Sequence, residues 1–397
     1  MVKKNSKVAT IEEMEEEIVL PPLTSFIETD CVGFDLALTN GKGLPEGGNI
    51  LLFAPPGCGK TTLISDVVRR LLAKHECAGI PFRVVYIDSE NSLTLLNCIG
   101  KDPKNPNELG LQKYITVVPE SGEIPYKPQQ LIYYPNLCSF KEAEEVYNRF
   151  IEEDNVKENK DIKIIVVDSL TNLISSTLLE ADVDKADYGS NARERLRFYQ
   201  KWMRRTRNKG ITVLYTSQMR QKQNASAYED PLRAAVTKAD EHNMDIIAKL
   251  SKSTDSKKVV LKKVKQHTID GVIEKQTRYI LKMATTKVAG AKNRVWDAVD
   301  VEMLVKPGCK ILNAFTVFNM LVENGFYKKL NATTFQVAEE FKVAFADIDL
   351  SNTTIDKKEL MTLTSLNIGR IVEYLRNNGM YTAVIGELEE LDDGILC

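Results

Sequence analysis

The run Asn49-Ile50-Leu51-Leu52-Phe53, apolar after its first residue, leads directly into Ala54-Pro55-Pro56-Gly57-Cys58-Gly59-Lys60-Thr61, and a helical pattern follows from Thr61 to about Ala73. A continuous apolar run predicts a strand covered on both faces. The glycines let the chain curl without Cβ clashes. Backbone N–H groups then converge at the positive end of the next helix, where they can hold a phosphate. Pro56, Gly57, Cys58, Gly59, Lys60, Thr61 and Thr62 are the expected nucleotide contacts. Lys60 would reach the β- and γ-phosphates, and the Thr61 hydroxyl would ligate Mg2+. ATP and Mg2+ are therefore the expected cofactors. This pattern usually opens on glycine, and here Ala54 takes that place. The alternative is a chance Gly-Lys-Thr in a loop, which the strand before and the helix after make improbable.

The rest of the core alternates apolar runs with helical segments, which predicts a parallel sheet with crossover helices. Strands are expected at Phe82–Asp88, Tyr114–Val118, Ile162–Asp168 and Ile211–Thr216, and helices near 140–152 and over Asn191–Arg207. Residues 119–138, rich in Pro and Tyr, read as an insertion or a long surface loop. Beyond 243, short β-type runs at 244–250, 257–264, 276–283 and 295–304 predict an antiparallel extension of the same sheet. Two carboxylates fall where parallel strands deliver residues to a phosphate site. Asp168 ends its strand and is the expected Mg2+-side acid; Glu90 follows the strand ending at Asp88 and is the expected group to polarise water. For Asp168 the plain alternative is a turn former, and for Glu90 a solvated loop carboxylate.

The formal net charge is -2, so any nucleic-acid contact must come from local clusters of Lys and Arg rather than from the whole molecule. The 7 cysteines are scattered without metal-ligand spacing, which favours a reduced protein without structural zinc. No segment approaches the ~18 apolar residues of a membrane span, so a cytoplasmic protein, in a host cell if phage-encoded, is expected. The domains expected are an N-terminal segment 1–30, a core 31–306 and a small C-terminal domain 307–397 with an acidic tail. In the N-terminal segment, Ile11, Met14 and Ile18 have helical spacing, and an oligomerisation element and a frayed helix are both open.

The order of these parts resembles the RecA family of DNA recombinases, in its bacterial and phage branch, which includes UvsX-type proteins. Phe34-Asp35-Leu36-Ala37-Leu38 and Gly43-Leu44-Pro45-Glu46-Gly47-Gly48-Asn49-Ile50 resemble its lead-in to the P-loop. Tyr86-Ile87-Asp88-Ser89-Glu90 is similar to its catalytic-glutamate strand, Ile165-Val166-Val167-Asp168-Ser169 to its Walker B strand, and Ser217-Gln218-Met219-Arg220 to its γ-phosphate-sensing strand end. The likeness covers roughly residues 30–330. It implies an α/β fold: a RecA-like P-loop ATPase core with a mostly parallel central sheet, a short N-terminal segment and a small helical C-terminal domain. It also implies that Glu90 activates water, that Gln218 reports nucleotide state, and that Lys287 reaches the γ-phosphate of a neighbouring subunit in a filament. DNA loops would fall near 177–190 and 219–243, and Arg193 matches an arginine that contacts the DNA backbone. Four departures stand out: Thr285 where a second basic residue is usual, Asn97 where a Tyr stacks on adenine, a second loop without the glycine pair, and no counterpart for 119–138.

Arg193, Arg197, Lys201 and Arg204 recur at helical spacing, which allows a basic stripe, although a solvated helix face is the commoner outcome. Arg220, Lys222, Arg233 and Lys238 in the second loop are better placed for DNA. The sequence thus points to an ATP-dependent recombinase, a homo-oligomeric filament on single-stranded DNA that pairs it with homologous duplex for recombination and repair. A hexameric helicase of the same superfamily and a KaiC-like or paralogue ATPase without strand exchange remain open.

Overall fold

The computed structural model describes residues 23–101, 109–152, 160–180, 188–221, 232–234, 243–252, 263–268, 271–276, 279–288, 301–306, 309–348, 350 and 354–378. A short pair, β1 (Phe26–Ile27) and β2 (Leu44–Pro45), brackets helix α1 (Val32–Thr39) and leads into β3 (Asn49–Ala54). Helix α2 (Lys60–Ala78), β4 (Phe82–Asp88), α3 (Leu93–Leu96), β5 (Ile115–Val117), β6 (Gln129–Tyr134) and α4 (Phe140–Tyr147) follow. Then come β7 (Ile162–Asp168), α5 (Ser176–Glu180), α6 (Tyr188–Asn208), β8 (Thr212–Gln221) and β9 (Leu232–Ala234). The last strands of this part are β10 (Ile246–Lys252), β11 (Lys263–Thr268), β12 (Gly271–Gln276), β13 (Tyr279–Val288), β14 (Val301–Lys306) and β15 (Lys310–Leu312).

One sheet runs in the order β15-β14-β13-β10-β3-β8-β7-β4-β6-β5, with β9 on the end of β8. From β10 to β5 every pairing is parallel. The apolar runs are explained by period-2 alternation between two covered faces. Ile50, Leu52, Val84, Tyr86, Ile164, Val166 and Leu214 point into one core with Leu63, Val67, Val68 and Leu71 of α2. Leu51, Phe53, Val85, Ile87, Ile165, Val167, Val213 and Tyr215 point into the other, under α4 and under Phe198, Tyr199 and Trp202 of α6. Helix α4 starts on a capping box, Ser139 accepting from the Glu142 N–H and Glu142 from the Ser139 N–H. The fold is thus a mixed α/β architecture around a large, mainly parallel sheet. Its C-terminal part is helical (Asn313–Glu323, Glu339–Ala344, Lys357–Leu366, Ile368–Asn377), with a small sheet of Tyr327–Lys329, Thr334–Val337 and Ile355–Asp356.

Three expectations change. Residues 119–138 are not a surface loop throughout: Gln129–Tyr134 is β6, an interior strand with Leu131, Ile132 and Tyr133 fully buried. Pro119, Pro125, Pro128 and Pro135 hid it, but all stand outside the strand, where a missing N–H breaks no ladder bond. The region beyond 243 is not antiparallel throughout, because β10 runs parallel to β3; the chain between β8 and β10 is long enough for a crossover. The β11–β12 hairpin forms its own two-stranded sheet. Finally, β8 does not stop at Thr216 but continues to Gln221 and pairs with Leu232–Ala234, so the second expected loop begins as a hairpin. The expected apolar face at Ile11, Met14 and Ile18 and the acidic tail lie outside the described residues.

One buried carboxylate fastens α2 to the far edge of the sheet. Asp66, fully buried, accepts from Arg69 Nε at 2.8 Å, Arg70 Nε at 3.0 Å and the Ile311 N–H at 3.0 Å. Arg70 in turn donates to the carbonyls of Ile311 and Asp30. Breaking a buried pair leaves an uncompensated charge and costs about 3–5 kcal/mol. Asp66→Ala should lower stability by that amount in urea denaturation; a loss under about 1 kcal/mol would show that these contacts are dispensable.

Candidate active site

β3 ends at Ala54, which is buried and paired with Gln218 as ordinary strand. A glycine is therefore not needed there, and the irregularity noted in the sequence disappears. The turn that follows has Gly57 at φ 68° and Gly59 at φ 89°, left-handed values that L side chains rarely adopt. A Cβ at Gly57 would meet nothing within 4 Å, so conformation rather than crowding selects glycine. Lys60 opens α2, lies 6% exposed and donates from Nζ to the Ala54 carbonyl at 3.4 Å. The first-turn N–H groups of α2 have no carbonyl behind them within the helix and face the end of β3.

Asp168, fully buried at the end of β7, lies beside this turn. Its carboxylate accepts from the Thr61 hydroxyl at 2.7 Å, the Tyr86 hydroxyl at 2.7 Å and the Thr216 hydroxyl at 2.5 Å. Burial raises its pKa, and the three hydroxyl donors partly offset that rise. A hydroxyl and a carboxylate in contact are hard oxygen donors of the kind Mg2+ takes through one or two protein groups. Thr61 and Asp168 therefore fit the metal expected from the sequence, and the turn with Lys60 fits the phosphates. Thr61 and Asp168 would hold Mg2+ there, and its charge would offset that of the phosphates.

Glu90 is exposed two residues past β4, and Gln218 Nε2 donates to its Oε1 at 3.4 Å. The structure thus brings together Lys60, Thr61, Glu90, Asp168 and Gln218, from the start of α2, the carboxyl ends of β4 and β7, and the part of β8 that lies opposite the end of β3. The parallel register does this: Ala54 lies opposite Gln218, and Asp88 opposite Asp168. Sequence reasoning missed Asp88, Tyr86, Tyr133 and Thr216. Their signal was weak, since hydroxyls within apolar runs read as core. Asn97 caps the end of α3.

The remaining candidates lie apart. Arg193 is exposed on α6 with Arg197 and Arg204, while Lys201 pairs with Glu144 and Arg195 is buried over Phe140. Arg220 and Arg233 are backbone register partners in the antiparallel pairing of β8 with β9. Lys222 and Lys238 lie outside the described residues. Lys287 is opposite Ile247, which is opposite Leu51. That is two strands over from β3 and three residues back from Ala54, roughly 14 Å away at ~4.8 Å per strand and ~3.3 Å per residue. Lys287 is therefore displaced from its own chain's phosphate turn, toward the opposite edge of the sheet. Among the described residues no helix is long and apolar enough to cross a membrane.

The family model of the AAA domain matches residues 39–224, the segment that holds β3 through β8 and every site residue above except Arg233, Lys238 and Lys287. The RecA protein of Mycolicibacterium smegmatis is 26% identical over 223 residues, 56% of this chain and 52% of that protein. The RecA protein of a Nostoc species is 25% identical over 198 residues, 49% of this chain and 44% of that protein, and that of a Synechocystis species 26% over 198 residues, 49% and 45%. The chain spans about half the length of the curated relatives it matches. The fold, the phosphate turn and these similarities together support a RecA-like P-loop ATPase core.

Proposed function

We propose that this chain is an ATP-dependent DNA recombinase that coats single-stranded DNA as a helical filament and pairs it with homologous duplex. The observation that carries the reading is the contact between Gln218 and Glu90. Gln218 lies on the same strand as Arg220, whose register partner is Arg233. A hydrolytic glutamate is thereby joined by one strand to a basic hairpin, the shortest route from nucleotide state to a DNA surface. The likeness to RecA proteins supports the choice of nucleic acid.

In this reading Lys60 and the first-turn N–H groups of α2 hold the phosphates, with Pro56 to Thr62 around them. Thr61 and Asp168 hold the metal side. Glu90 accepts a proton from the attacking water as ATP is converted to ADP and phosphate. Gln218 senses the γ-phosphate, and its movement resets the hairpin. Lys287, remote from its own turn, serves the turn of a neighbouring subunit, which makes each nucleotide site complete only in an assembly. Arg193, Arg220, Lys222, Arg233 and Lys238 neutralise DNA phosphates, each adding about -0.7 to the log–log salt slope of binding.

Phosphate release should rise strongly on adding single-stranded DNA, and electron microscopy should show long filaments. Closed rings would favour a helicase, and indifference to DNA an ATPase of another role. Lys60→Ala should weaken ATP binding roughly 100-fold, as expected for loss of about 2–3 kcal/mol of charged hydrogen bonding, in a titration with fluorescent nucleotide; unchanged affinity would remove Lys60 from the site. Glu90→Gln should keep nucleotide affinity but slow turnover by about 10²- to 10⁴-fold, leaving filaments that persist; a normal rate would remove Glu90 from its role.

A further inference from the structure

The turn that carries Glu90 is held from behind by a fully buried carboxylate. Asp88 Oδ1 accepts the Glu90 N–H at 2.9 Å. Its Oδ2 accepts the Ser92 N–H at 2.5 Å, the Ser92 hydroxyl at 2.9 Å and the hydroxyl of Tyr133. Between Glu90 and Ser92, Asn91 sits at φ 56°, a left-handed conformation that persists only where neighbouring contacts over-determine it. Glu90 itself is exposed, and its side chain accepts the long hydrogen bond from Gln218. Its place is thus set by the backbone, and the backbone by Asp88.

Among the described residues, Asp88 has one donor from outside its own turn. Tyr133 is fully buried on β6, beside Tyr86 in the strand register, with the two rings 6.0 Å apart. The two tyrosines divide the work, Tyr86 donating to Asp168 and Tyr133 to Asp88. Burial, then the bond to Asp88 and its negative charge, push the Tyr133 hydroxyl well above its usual range, so it stays protonated and can donate to Asp88. A hydrogen bond to a charged acceptor is stronger than a neutral one and fixes the plane of the carboxylate. Without it, Asp88 can rotate and release one of the two N–H groups that shape the turn.

We propose that Tyr133 is a positioning residue for Glu90, acting through Asp88 and the 89–92 turn. This rests on the reading of Glu90 as the group that activates water. It also gives a task to the segment 119–138, which supplies the strand that carries Tyr133. A purely structural pair would affect stability and leave the chemical step alone.

The test is steady-state ATP hydrolysis by the full chain, comparing wild type, Tyr133→Phe, Glu90→Gln and the double variant, with folding followed by circular dichroism. Tyr133→Phe should keep KM within about twofold and lower kcat about 10- to 100-fold, the size of effect that a misplacement of about 1 Å produces. In the Glu90→Gln background it should lower kcat no further. A full kcat in Tyr133→Phe beside a slowed Glu90→Gln overturns the inference and leaves the reading of Glu90 intact. Multiplicative losses in the double variant overturn it too. A normal rate in Glu90→Gln removes both. If Tyr133→Phe does not fold, Ser92→Ala, which removes another donor to the same oxygen, decides: lower kcat at unchanged KM supports the inference, and a full rate overturns it.

Discussion

A carboxylate with no solvent exposure must find its hydrogen-bond donors inside the protein, and Asp168 finds three in three different elements. Thr61 belongs to α2, Tyr86 to β4 and Thr216 to β8. These bonds lock the helix that starts at the phosphate turn to β4, which leads to Glu90, and to β8, which carries Gln218. The parallel register supplies the same alignment along the sheet, and the two constraints agree. A one-residue slip of any of these strands would move its candidate residue by about 3.3 Å.

The position of Lys287 in the sheet bears on the proposal that the site is shared between subunits. β13 runs antiparallel to β10 and carries Lys287 away from the phosphate turn of its own chain. A lysine side chain spans about 6 Å, less than half the distance implied by strand spacing. The proposed role for Lys287 therefore requires a second subunit, and the sheet geometry of one chain gives it no other phosphate to reach.

Much of this was legible in the residues. Ile50 to Phe53, Val84 to Ile87 and Ile164 to Val167 are apolar at both parities because both faces of their strands are covered, and the strands at Phe82–Asp88 and Ile162–Asp168 fall where that pattern predicts. That Thr61 and Asp168 belong together was visible, because glycine-lysine-threonine and a strand-ending Asp have chemistry as well as pattern, and the two side chains are in contact. β6 was not, since two prolines abut it and its tyrosines resemble loop composition. Tyr133 and Asp88 were hidden for a related reason: their partnership exists only in the register of β4 with β6, which no local pattern encodes. Nor could spacing reveal that β10 runs parallel to β3, because the direction of a strand after a long connection is decided by the crossover. Ala54 shows the opposite error, a departure from the usual motif that ordinary strand geometry renders harmless.

The proposal that two subunits complete each nucleotide site is tested most directly by mixing two variants that are each inactive, Lys60→Ala and Lys287→Ala. In an equimolar head-to-tail assembly, about one quarter of the junctions would pair an intact phosphate turn with an intact Lys287. ATP turnover should therefore return on mixing, toward that fraction of the wild-type rate with single-stranded DNA present. A mixture as inactive as its components, or a Lys287→Ala variant with full activity alone, would contradict a site shared between subunits.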